Sequence, residues 1–240
     1  MYVGLSRQMT LQHELDVIAN NVANVDTAGF KLESLMVQTS AQTLPSGGAG
    51  PSVVDFAYDV GVVRDFNQGS LKRTGATFDL AVEGEGFFKV STPTGERYTR
   101  DGRFSLDGQG RLVTQSGQPV QGDGGDIVID PTKSAPMIAA DGTISQDGQI
   151  LGRVSVVNFS SLSALSKDGD GLYRNVSNLQ PQTNESARIL QGMVESSNVD
   201  PITQITKLIA VSRAYESIAQ MMSNTADLSA QTIDRLGRVS

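Results

Sequence analysis

Cysteine and tryptophan are both missing from this chain of 240 residues, and histidine occurs once. Without cysteine there can be no disulfide, no thiolate metal site and no cysteine nucleophile. A cysteine-free chain suits either redox compartment, so composition leaves location open. Positive charge is also scarce: 19 Lys and Arg stand against 26 Asp and Glu, a formal net charge of −7. Neither a Lys/Arg cluster nor a basic stripe interleaved with aromatics occurs, which argues against a nucleic-acid footprint. No run approaches the roughly 18 apolar residues of a membrane-spanning helix. The N-terminus has no basic stretch followed by an apolar run, so a cleavable signal peptide is not expected. Apolar residues make up 38% and aromatics only 5%. A chain of this size buries roughly 70–75% of its unfolded surface, and this composition is lean for one large core. It suits an elongated protein that finishes burying its apolar surface against partners.

Catalytic and metal signatures are equally thin. The single histidine, His13, lies in QHELD and lacks the second histidine of a zinc-protease helix. Gly84-Glu85-Gly86 runs into the strand-like FFKV, with no third glycine and no helix, so a turn is the better reading than a dinucleotide loop. Neither a phosphate-binding loop nor a nucleophile elbow is present. Asp168-Gly169-Asp170-Gly171 could suggest calcium, but the twelfth position counted from Asp168 is Leu179, where an EF-hand needs Glu. Turns account for it. No enzyme activity, cofactor or metal is expected.

Glycine is unevenly placed. Of 25 glycines, 22 lie between Gly47 and Gly192, with only Gly4, Gly29 and Gly237 outside. Glycine is costly inside helices, so the chain reads as helix, β structure, helix. In the first zone Leu11, Leu15, Ile18, Val22 and Val25 recur at spacings of 4 and 3, one stripe of a helix with a coiled-coil-like seam. That helix should run from about Tyr2 to Val25, roughly 36 Å at 1.5 Å per residue, and stop near Asp26–Gly29, with Gly29 as the left-handed terminal residue. In the last zone Asp200 caps a helix with Pro201 in its first position. Leu208, Val211, Tyr215, Ile218 and Met222 repeat at 3 and 4, and the helix should reach about Leu236. The middle carries Asp-Gly pairs at Asp101, Asp107, Asp123, Asp141, Asp147, Asp168 and Asp170, which favour tight turns between short strands.

The expected fold is therefore α+β: long N- and C-terminal helices forming a coiled-coil-like pair around a glycine-rich, all-β antiparallel middle domain. Residues 1–36 and 198–240 would form the helical assembly domain and 75–173 the outer β domain. Residues 37–74 and 174–197 would connect them, with Ala41–Ser52 a flexible loop. The helices should pair within the chain and be completed by neighbours, their ends ordering on docking. Asn20, Asn21 and Asn24 either cap and fray the first helix or bridge to neighbouring helices; spacing leaves both readings open.

Three blocks now resemble a known family. IANNVANVDTAGFK (Ile18 to Lys31) is similar to the N-terminal signature of the flagellar basal-body rod and hook family. LQGMVESSNVDP (Leu190 to Pro201) with IAVSRAYES (Ile209 to Ser217) resembles its C-terminal signature. FDLAVEGEGFFKV (Phe78 to Val90) and the stretch from Glu96 to Asp123 match its middle. Within the family the chain looks most like a proximal rod subunit, with the distal rod protein as alternative; a hook protein would carry extra outer domains. The resemblance implies export through the flagellar secretion apparatus without a cleavable signal. It implies assembly in the periplasm, with copies of itself and other axial proteins, into a hollow rod that transmits motor torque. The helices would line the tube and the β domain would lie outside it. The assembly residues would be Leu11, Leu15, Ile18, Asn21, Val22, Asn24, Val25, Leu208, Val211, Tyr215, Ile218 and Met222. A secreted β-domain binding module is the alternative from a different class.

Overall fold

The computed structural model describes residues 2–44, 52–177, 179–184 and 186–237. Helix α1 spans Tyr2–Ala23 and α2 spans Pro201–Gly237, with antiparallel strands between them. The chain divides into two compact units. One comprises Met1–Ala23, Glu33–Asp65 and Asp200–Ser240; the other comprises Asn24–Leu32 and Phe66–Val199.

α2 begins at the expected cap. Asp200 Oδ1 accepts the Ile202 N–H at 3.0 Å, and Oδ2 accepts the Thr203 hydroxyl at 2.7 Å. These bonds, the Thr203 hydroxyl above all, hold the Asp200 carboxyl below the usual carboxylate range. α1 stops earlier than its apolar spacing suggests, at Ala23 rather than Val25. The Thr27 N–H donates to Asn24 O and the Thr27 hydroxyl to Asn24 Oδ1, at 3.1 and 3.2 Å, so a polar turn replaces the last helical turn. Gly29 is not the helix terminator. It has φ +67° but lies well past the helix, where a Cβ would sit 2.4 Å from the Arg100 carbonyl carbon. Glycine is needed there for close approach of two backbones.

The first unit also contains a hairpin that the sequence reading passed over. β1 (Glu33–Leu44) pairs antiparallel with β2 (Ser52–Arg64), in register from Glu33 opposite Arg64 to Leu44 opposite Ser52, with a bulge at Met36/Val37. At its base Arg64 Nε donates to Glu33 Oε1 at 2.8 Å. The segment read as a flexible loop therefore contributes Ala41–Leu44 and Ser52 to strands, and its remaining residues, 45–51, lie outside the described residues. The β-branched and aromatic run SVVDFAYDVGVV was the available signal.

The second unit is built on a six-stranded antiparallel sheet, ordered Leu165–Lys167, Leu172–Asn175, Gly95–Thr99, Phe87–Thr92, Val156–Asn158 and Gln182–Thr183. Neighbouring residues of a strand face opposite sides, and both sides are used. Phe88, Val90 and Val156 enter a large aliphatic core with Leu80, Leu112 and Ile144. Phe87 and Val157 enter a second cluster with Tyr98, Phe159 and Tyr173. Its rings meet edge to face, with centroids 4.8 Å apart for Tyr98 and Phe159 and 5.9 Å for Phe87 and Tyr173. Arg188–Gln191 pairs with Leu80–Glu83, and Met193–Glu195 pairs with Leu71–Arg73.

Candidate assembly interface

The helical seam lies wholly within the first unit. Leu11, Ile18 and Val211 are buried in one cluster, and Leu15, Val22, Leu208, Ala214, Tyr215 and Ile218 pack against it. Gly4 lies beside Met222 and Asn21 beside Gln204, so α1 and α2 run antiparallel. A Cβ on Gly4 would lie 3.2 Å from Met222 Cγ, so this crossing is tight. α2 continues past Met222 to Gly237, at a point where α1 is already at its beginning.

Asn21 settles one alternative for the asparagines. It is 1% exposed. Its Nδ2 donates to Glu33 O at 2.7 Å and to Gln204 Oε1 at 3.3 Å, and its Oδ1 accepts the Glu33 N–H at 2.9 Å. One amide thus satisfies both backbone groups of Glu33 and ties α1 to β1 and α2. It bridges, but to its own chain. Asn20 is exposed, and Asn24 and Val25 belong to the second unit, beyond the end of α1. Gln204, 3% exposed, is the residue that periodicity missed, because a glutamine in an apolar stripe carries no apolar signal.

A second apolar stripe remains open. Ile202, Ile205 and Ile209 are 76%, 46% and 49% exposed. At 3.6 residues per turn their mean direction is about 130° around α2 from that of Leu208, Val211, Tyr215 and Ile218. Leu5 and Met9, one turn apart on α1, are exposed as well. Surface helices of globular proteins ordinarily keep the face away from the core polar; here α2 carries exposed isoleucines there.

Among the described residues no group of His, Asp and Glu is arranged to hold a metal ion, and no helix is long and apolar enough to cross a membrane. In the cleft lined by Asp123, Asp141, Arg153 and Asn184, Asp141 accepts the Thr143 N–H and hydroxyl, Arg153 Nε donates to Asp141 O at 2.7 Å and Asn184 Nδ2 donates to Glu85 O at 2.7 Å. The class these features define is a structural assembly protein.

Comparison with known proteins gives the family. Residues 1–31 match the model described as flagella basal body rod protein, 81–150 the flagellar hook protein FlgE/F/G D1 domain, and 190–235 the flagellar basal body rod FlgEFG protein C-terminal. The chain is 52% identical to the flagellar basal-body rod protein FlgF of Caulobacter vibrioides, over 100% of this chain and 98% of that protein. It is 38% identical to FlgF of Mesorhizobium japonicum, again over 100% and 98%. With FlgG of the same Caulobacter strain identity is 32%, over 94% of each. The chain belongs to the flagellar basal-body rod protein family, and it resembles these FlgF proteins more than that FlgG. It is a structural subunit of the flagellar basal-body rod and not an enzyme.

Proposed function

We propose that the chain is a proximal rod subunit whose terminal helices form a coiled-coil-like pair and dock side by side with neighbouring axial subunits. The observation that carries this reading is the two-faced α2. Its Leu208–Ile218 face is occupied by α1, while Ile202, Ile205 and Ile209 stay open. Residues 1–36 and 198–240 are the assembling segments, 75–173 the outer β part, and 37–74 and 174–197 connect them. The subunit passes through the flagellar secretion apparatus without a cleavable signal and joins copies of itself and other axial proteins in the periplasm. There the assembled helices line the hollow shaft that carries motor torque.

The test separates the two faces of α2. Ile205→Asp in cells should leave the purified chain folded, as read by circular dichroism, while blocking rod growth and motility. Normal hook-basal bodies in that strain would remove the open face from the interface.

A further inference from the structure

Three buried charges sit where the chain enters and leaves the second unit. Lys31, Arg100 and Glu195 have side chains 0%, 4% and 1% exposed. Glu195 Oε1 accepts Lys31 Nζ at 2.5 Å and the Gly69 N–H at 2.9 Å, and Oε2 accepts Arg100 at 3.0 Å. Lys31 Nζ also donates to Asn67 O at 2.9 Å, as does Asn198 Nδ2 at 3.1 Å. Asn198 Oδ1 accepts the Leu32 N–H at 2.7 Å. The Gly29 N–H donates to Glu195 O and the Ser196 N–H to Ser70 O, both at 2.8 Å. Gly69 permits this approach, since a Cβ there would fall 2.0 Å from Ser196 O.

The position of this knot is informative. The chain passes between the two units at residues 32/33, 65/66 and 199/200, besides 23/24. The knot joins Gly29–Leu32, Asn67–Ser70 and Glu195–Asn198, the stretches just inside those three passages. Next to it lies a three-residue antiparallel pair, with Leu71 opposite Glu195 and Arg73 opposite Met193, and the Thr74 and Gly75 N–H groups donating to Gly192 O lead on to the Leu80–Glu83 pairing. Pulling residues 66 and 199 apart would load that pair from its open end, one hydrogen bond at a time. The knot closes that end.

Stability alone does not account for its chemistry. Two cations face one carboxylate, and Arg100 Nε is buried without a hydrogen-bond partner among the described residues. Burial pushes the Arg100 pKa down, with Glu195 opposing the shift. Replacing such a cluster by well-packed apolar residues is often neutral or stabilising. Short directional bonds to three separate backbone stretches do supply something apolar packing lacks, which is resistance to sliding and peeling.

We propose that the Lys31–Glu195–Arg100 knot is a force-carrying joint, which stops tension on the three chain passages from unzipping the β unit. The proposal rests on the rod reading for its purpose. Its test uses the full chain in optical tweezers, with handles on single cysteines, for which the cysteine-free sequence is a clean background. One pair of handles at Asp65 and Ile202 loads the passages; a second at Gln109, in a turn, and Gln149, at a strand start, loads exposed positions away from the knot. In Lys31→Met/Arg100→Met/Glu195→Met, unfolding at fixed force should quicken at least about tenfold across 65/202, a barrier about 1.4 kcal/mol lower. Across 109/149 the rate should stay near that of the parent. Equal changes in both geometries, or none in either, would overturn the joint. If the triple variant does not fold, Asn198→Ala serves: it should show the same one-geometry effect, smaller, and its absence would be equally decisive against the proposal. The assay reads the purified chain, so its result is separate from the rod reading, which fails if the tagged wild-type subunit does not appear in basal bodies.

Discussion

Among the described residues, the second unit has a large continuous interior and the first a small helical seam. Around the six-stranded sheet, fully buried Leu80, Phe88, Val90, Leu112 and Ile144 form a continuous core, with an aromatic cluster on the other face. The helical seam of the first unit buries Leu11, Ile18 and Val211, at 2%, 5% and 9% exposed, and amides hold its junction. Most of the exposed large apolar side chains among the described residues also belong to this first unit. One unit thus has a folding problem solved within the chain; the other leaves more of its described apolar side chains exposed. The most deeply buried ion pairs, Lys31–Glu195 and Arg100–Glu195, also lie in the second unit.

The largest break in this contrast is expected from Glu195→Gln. It strands Lys31 and Arg100 without a counter-charge, a loss of about 3–5 kcal/mol. Hydrogen exchange across Phe87–Thr92 should accelerate accordingly, and protection like that of the parent would refute the buried-network account. Ile144→Ala comes next, at about 2–5 kcal/mol, confined to the second unit in denaturant unfolding. Loss of protection in α1 by the same amount would mean that the units do not fold separately. Asn21→Ala should cost the first unit about 1–3 kcal/mol, loosening α1, β1 and α2 together. Retained exchange protection at Glu33 would show that its bonds to Asn21 contribute little.

Acid and alkali offer a gentler comparison. Hydrogen bonds lower the pKa of Asp107, from the Arg111 N–H first, of Asp168, from Arg97 first, and of Asp200, from Thr203 first. A lowered folded pKa gives stability that is complete above the unfolded value, about 3.9 for Asp. That stability is lost as pH falls through the lower folded values. Two of the three groups lie in the second unit, so its thermal midpoint should fall more steeply below about pH 4. At the other extreme, burial and then Glu96 push the Tyr98 phenol up to about 12. The stability this lends is present below about pH 10 and is lost as pH rises towards 12. Ultraviolet titration should show the Tyr98 phenol ionising at about 12, an absorbance step that Tyr98→Phe removes. The smallest expected effect on the isolated chain is Ile205→Asp, within about 0.5 kcal/mol, set against its large effect on rod growth. Leu15→Asp or Ile218→Asp should also stop the rod, but by striking a seam the chain makes with itself.

Both helices were legible because a period of 3.6 needs only local spacing, and the Asp200-Pro201 start needs only local chemistry. The turn-rich middle was legible for the same reason, through its Asp-Gly pairs. The β1–β2 hairpin was not, since the Gly/Pro/Ser run between its strands outweighed the β-branched pattern of β2. Gly29 looked like a helix terminator until Arg100, distant in sequence, came within contact.

By itself the sequence determined two helices that each carry an apolar seam, a strand-and-turn middle and three blocks resembling the rod family. Only the tertiary structure decided which apolar stripe is used up within the chain and which is left open. It also decided that Asn21 bonds its own β1, and that Lys31, Arg100 and Glu195 meet. Periodicity states that a face is apolar but carries no information about what covers it. Buried polar contacts join residues far apart in sequence, so their partners exist only once the chain has folded.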